Sequence, residues 1–148
     1  MSGAMTYIEI GDWSLMQNNA QTVRTAVFVQ EQGIAPEEEW DADDASALHA
    51  VLFDVNGKAI GNARLLQPLA TMAKVGRMAV LREVRGLGYG ARLLQALLIE
   101  ARRRGNKEVR LSAQCTAEHF YTLHGFKTMG EPFDEVGIPH VEMRLSLV

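Results

Sequence analysis

The first strand signal is Tyr7-Ile8-Glu9-Ile10, where apolar and polar positions alternate until Gly11 and Asp12 end the run. From Asn18 to Gln30 the spacing changes, and Ala20, Val23, Val27 and Phe28 recur as one helical stripe. Glu31 to Asp44 has no such period. It carries Gly33, Pro36 and seven acidic residues and reads as a loop, in which the charge from Glu37 to Asp44 is either a solvated face or an attraction for a cationic amine. His49 to Val55 and Lys58 to Leu66 are strand signals on either side of Asn56-Gly57, a dipeptide that predicts a type I′ turn with a two-residue loop. Gly61 inside the second strand predicts a bulge. Met72 to Val80 predicts a further strand, after a loop holding Pro68. Ala91 to Arg104 is a helix with Leu93, Leu94, Leu97, Leu98 and Ala101 on one face, Arg102 to Arg104 in its last turn and Gly105 as its stop. Glu108 to Ala113 is a strand reached by a crossover, so it should lie parallel to Met72–Val80. Thr116 to Leu123 predicts a short helix, and Phe126 to Phe133 with His140 to Leu147 a final antiparallel pair. The order is that of an α+β fold with a mixed sheet.

Composition narrows the classes. The chain has 148 residues, 47% of them hydrophobic, enough for one domain with a substantial core. A net charge of −3 argues against a nucleic-acid surface. One cysteine, Cys115, cannot build a disulfide framework, and the expected compartment is the reducing cytoplasm. Met1 to Tyr7 has no signal-peptide pattern, and no apolar run approaches the roughly 18–20 residues that span a bilayer, so no membrane is expected. Met1 to Ala4 reads as an extension ahead of a start at Met5, leaving residues 5–148 as the domain. No cluster has metal-ligand spacing, and no metal is expected.

The densest chemical signal is the run Arg85, Gly86, Leu87, Gly88, Tyr89, Gly90, which stands between a strand and a helix. Glycines there remove the Cβ atoms that would block a phosphate, and the free N–H groups of the first helical turn point at it with the helix dipole behind them. Gly86 to Ala91 also fits the dinucleotide pattern G-x-G-x-x-G/A. That pattern belongs to the first strand–helix turn of a parallel unit, whereas here an antiparallel hairpin precedes it and Glu108 falls at the wrong end of the next strand. A P-loop fails because no Gly-Lys-Ser/Thr follows.

Read from Arg85, the segment resembles the acetyl-CoA pyrophosphate loop of the GNAT N-acetyltransferases. Gly76-Arg77-Met78-Ala79-Val80 is similar to that family's fourth strand, and Ala117 to Phe126 to its A-x-x-F-Y-x-x-x-G-F segment. Val27 to Gln32, Leu111 to Gln114 and Gly137 to Met143 resemble the ElaA/YjcF-like branch. The resemblance implies the GNAT acyl-CoA N-acyltransferase fold: a mixed, mostly antiparallel sheet, helices on both faces, and strands 4 and 5 splayed apart at a bulge. It implies acetyl-CoA as co-substrate, with pantetheine bonded to the backbone of Met78, Ala79 and Val80, and pyrophosphate on the N–H groups of Arg85, Gly86, Leu87, Gly88, Tyr89, Gly90 and Ala91. Arg85 would serve backbone shape more than ion pairing. Gln114 falls where many members carry Asn, which gives it an altered cofactor contact.

The implied reaction is direct transfer of acetyl to a primary amine in a ternary complex, with Tyr121 as general acid to the leaving thiolate and the N–H near Ala79 polarising the carbonyl. A base is also required, and His140, His49, Glu31 and the acidic loop all remain candidates. Phe28, Glu31, Gln32 and His140 are expected at the acceptor, a small-molecule or peptide amine. Cys115 reads as a small packed thiol. A homodimer through the final strands is left open, as is the alternative of a catalytically silent acyl-CoA sensor or partner module.

Overall fold

The computed structural model describes residues 6–148. The expected extension, Met1 to Ala4, and the start at Met5 lie outside the described residues. Seven strands form one sheet, in which β1 (Tyr7–Gly11), β2 (Leu48–Phe53), β3 (Ala59–Leu69) and β4 (Met72–Val80) run in sequence order, followed by β5 (Glu108–Gln114), β7 (Ile138–Ser146) and β6 (Lys127–Glu135). Among the described residues only the β4–β5 pair is parallel. It is joined by α3 (Tyr89–Arg103), the crossover that a parallel pair requires.

Helices cover both faces. A Cβ on Gly61 would stand 2.9 Å from Leu93 Cδ1, so that face of β3 meets α3. Leu52 shares the face, and His49, of opposite parity on β2, lies with its ring centroid 4.8 Å from that of Trp13 of α1 (Trp13–Arg24), the two rings tilted at 40°. The core runs from Met16, Ala20 and Val23 through the sheet to Leu93, Leu94, Leu97 and Leu98, all buried.

The structure departs from the sequence-based expectation in four places. The first helix starts at Trp13, five residues before Asn18, because the Asp12 carboxylate accepts the Leu15 N–H at 3.1 Å. Leu15 points outward at 75% exposure, which hides the start from an apolar stripe. The stretch that should complete this helix, Thr25–Glu31, is a π-helix, with Gln32 N–H bonded to Val27 O at 3.0 Å. The hairpin turn is not the type I′ turn expected at Asn56-Gly57. Asp54 Oδ1 accepts from the N–H groups of Asn56 and Lys58, Gly57 N–H closes on Asp54 O, and only Gly57 takes a positive φ, +81°. That is a type I turn followed by a left-handed glycine. Lastly, Pro68 lies within β3 near its end, not in a loop. The bulge expected at Gly61 is present, as a register shift between Leu52 and Phe53 of the β2 partner.

Candidate active site

The site begins with a parting of strands. β4 and β5 pair only over Met72–Glu108, Ala73–Val109 and Lys74–Arg110, after which the two strands separate. On its other edge β4 carries one extra residue, since Asn62 faces Ala79 while Arg64 faces Gly76. Arg77 sits in this bulge at φ +50°, a left-handed conformation unusual for a residue with a Cβ. Asn62 Nδ2 donates to Arg77 O at 3.0 Å, and the Arg77 guanidinium bonds Glu39 and Asp41 at 2.8 and 3.0 Å.

These partners correct the reading of the acidic segment. Glu39 ends α2 (Pro36–Glu39), Asp44 lies in a 3-10 turn over Ala42–Ser46, and both are buried. Arg24, fully buried between Trp13 and Trp40 at 5.5 and 5.2 Å, donates to Glu39 at 2.8 Å and to Asp44 at 2.9 Å. Arg64 joins Asp44 to Asp41 at 2.8 and 2.7 Å. Glu39, Asp41 and Asp44 therefore neither form a solvated face nor stand free to attract an amine; they neutralise buried arginines. Burial raises the Asp44 carboxyl, but the hydrogen bonds from Arg24 and Arg64 outweigh it and hold the group below the usual range.

Past the splay, the chain makes a glycine turn. Gly86 and Gly88 both take left-handed φ, +83° and +82°, and Gly88 caps α3 without any side-chain bond. The N–H groups from Gly86 to Ala91 have no hydrogen-bond partner among the described residues. They border a concavity of about 360 Å³ lined by Val80, Val84, Arg85, Gly86, Gly88, Tyr89, Gly90, Ala91 and Phe120. Leu87 points outward at 64% exposure. Arg85 Nε donates to Val80 O at 2.9 Å and its terminal nitrogens clasp Glu31 at 2.6 and 2.7 Å. These bonds hold the Glu31 carboxyl below the usual range. Glu31 thus braces the loop and is absent from the cleft lining.

The main cleft has a volume of about 720 Å³ and is lined, among others, by Phe28, Gln32, Met78, Ala79, Val80, Arg85, Gln114, Tyr121 and His140. Gln32 and Gln114 bond each other across it, Gln114 Nε2 donating to Gln32 Oε1 at 2.9 Å. Tyr121, on α4 (Glu118–Leu123), is 6% exposed and set edge-on to Phe120 and Phe126. Its hydroxyl bonds no described residue, and burial pushes the phenol up to about 12. His140 Nδ1 donates to Ile138 O at 2.7 Å, which leaves Nε2 as the acceptor nitrogen, 3.8 Å from Glu135. His49 is elsewhere: buried on the α1 face, its Nε2 donates to Asp44 O, and burial pushes its imidazole below the ordinary value. It does not line the cleft. Cys115 is half-buried and also outside the lining.

Sequence reasoning missed Lys74, Gly76, Arg77 and Glu135 in the lining. The available signal was continuity along the strand, since every residue from Lys74 to Val80 borders the opening.

Residues 16–147 match the acetyltransferase (GNAT) domain family. A UPF0039 protein of Schizosaccharomyces pombe is 38% identical over 127 residues, 84% of each chain. The uncharacterized N-acetyltransferase YjcF of Bacillus subtilis is 35% identical over 82% of this chain and 86% of its own. The crystal structure of Escherichia coli ElaA superposes with a TM-score of 0.84 at 27% identity, over 95% of this chain and 99% of that one.

Proposed function

We propose that this chain, which belongs to the GNAT acetyltransferases and within them to the ElaA/YjcF branch, passes an acetyl group from acetyl-CoA to a primary amine. Acyl transfer from acyl-CoA is the chemistry of the family; acetyl as the group and an amine as the acceptor are our reading. The observation that carries it is the unpartnered N–H run from Gly86 to Ala91 opening into a strand splay that ends at Tyr121.

Pyrophosphate would rest on those N–H groups, where negative charge is favoured by the N-terminus of α3. Pantetheine would add to the free edge of β4 at Met78, Ala79 and Val80, as a strand adds to a sheet. The Val80 carbonyl already serves Arg85, which ties the loop to that edge. The Ala79 N–H would polarise the thioester carbonyl. His140 Nε2, which lies 3.8 Å from Glu135, would take a proton from the incoming ammonium. The amine nitrogen then attacks the thioester carbon, the C–N bond forms, the C–S bond breaks, and the second proton shed by that nitrogen passes to the departing thiolate. Tyr121 would donate a hydrogen bond to the departing sulfur.

The test follows CoA release from acetyl-CoA over a panel of primary amines, with CoA binding measured by calorimetry. Release above the hydrolysis background with at least one amine, lost in Gly88→Asp together with CoA binding, is the expected result. Tight CoA binding without release from any amine would replace the enzyme by an acyl-CoA sensor.

A further inference from the structure

Resting on that reading, we propose that the acceptor carries an anionic group, bound by Lys74 at the end of the cleft remote from the reacting amine. Four cations line the cleft: Arg64, Lys74, Arg77 and Arg85. Arg64 is neutralised by Asp41 and Asp44, Arg77 by Glu39 and Asp41, and Arg85 by Glu31. Lys74 is half-buried and has no carboxylate partner among the described residues.

Its neighbours worsen the imbalance. The register places Lys74 opposite Arg110, Arg110 opposite Arg144, and Arg144 opposite Lys127, a row of cations across four strands. Like charges directly opposite on a sheet are destabilising. Glu108 alone answers the row, at 2.9 Å from Arg110 and 3.7 Å from Arg144, and makes no ion pair with Lys74. The cleft carboxylates without an arginine partner, Glu38, Asp43 and Glu135, are exposed and so cheaply solvated. A half-buried, unanswered ammonium beside an arginine is the group that gains most from an incoming anion.

There is room for the approach. Gly76 lies between Lys74 and the bulge, and a Cβ there would meet nothing within 4 Å. The distance fixes the acceptor's shape. His140 is level with Gln114, whereas Lys74 is level with Arg110. Four strand residues separate these levels, about 13 Å at about 3.3 Å per residue. The Lys74 and His140 side chains cover part of that span, and an amine joined to its anion by a chain of several bonds fits the remainder better than an α-amino acid, whose amine and carboxylate share one carbon.

The experiment measures kcat/KM with acetyl-CoA for ε-aminocaproate, its uncharged counterpart hexylamine, and glycine. The expected preference for ε-aminocaproate over hexylamine is about tenfold or more, the worth of one charge-assisted bond, with glycine poorly used. Lys74→Gln should bring the ratio close to one and Lys74→Arg should keep it. A ratio near one in the unmodified protein, or one that Lys74→Gln leaves unchanged, overturns the anion subsite. Release of CoA with none of these amines, nor with any of the wider panel, overturns the acyltransfer reading itself.

Discussion

Replacing Tyr121 by Phe removes one hydroxyl from a ring that the structure otherwise holds by packing. The hydroxyl bonds no described residue, so the resting protein loses no hydrogen bond and the edge-on contacts to Phe120 and Phe126 persist. The kinetic cost follows from the acidity. With its phenol pushed up to about 12, Tyr121 is fully protonated at neutral pH. A thiol ordinarily titrates near 8.5, so handing the proton over completely would be uphill by about 5 kcal/mol. What the phenol supplies is therefore a hydrogen bond to sulfur as its charge develops, worth about 1.5–3 kcal/mol. That converts to a fall in kcat of about 10- to 150-fold, at the lower edge of the range for full general-acid catalysis, about 10²–10⁴. The assay is CoA release across pH 6 to 10, in roughly half-unit steps, with both proteins. KM for acetyl-CoA should change little, and the two pH profiles should run parallel because the phenol does not ionise in that window. An unchanged kcat would make Tyr121 a core aromatic. A basic limb present in the unmodified protein and missing from Tyr121→Phe would refute the hydrogen-bond account in favour of full proton transfer.

Three further outcomes are expected. Glu31→Gln loosens the clasp on Arg85, and because that pair is partly exposed, KM for acetyl-CoA should rise only about two- to fivefold, with kcat little altered. Arg24→Met leaves buried Glu39 with Arg77 and buried Asp44 with Arg64, each short of one guanidinium, and should cost about 3 kcal/mol in a urea titration; a loss below about 1 kcal/mol would mean the remaining arginines suffice. His49, held neutral by burial, binds its proton more weakly folded than unfolded, so stability is full above pH of about 6.5 and falls as pH drops below it. Melting temperatures of His49→Gln should lose that slope, whereas the low-set carboxyls of Asp41 and Asp44 act only in the more acid range below about 3.8.

Much of the fold was legible because it is local. Met72–Val80 is marked by its own pattern and matches β4 to the residue, and the five-residue face of α3 is buried as the helical stripe requires. The glycine turn was legible because glycine at alternate positions has few other uses. The acidic segment was not. Glu39 and Asp44 look like a solvated run until Arg24, Arg64 and Arg77 arrive from 15 to 38 positions away, and no local signal announces such partners. The π-turn of Thr25–Glu31 is likewise set by what it packs on, since its sequence satisfies an α-helix equally well. At the hairpin, Asn56-Gly57 was outcompeted by Asp54, whose carboxylate gathers two backbone N–H groups.

The odd residue at Arg77 acts as a phase shift in β4. Upstream of it the even-numbered positions, Lys74 and Gly76, share a side with Leu66 and Arg64; downstream the odd-numbered Ala79 takes that side beside Asn62. One strand is thus read in two frames, the first presenting side chains to the proposed acceptor end and the second presenting backbone to the proposed pantetheine. Deleting Arg77 alone would leave Ala79 beside Asn62 and every later residue on its present side; it would remove only the offset, and a single frame would run the length of the strand.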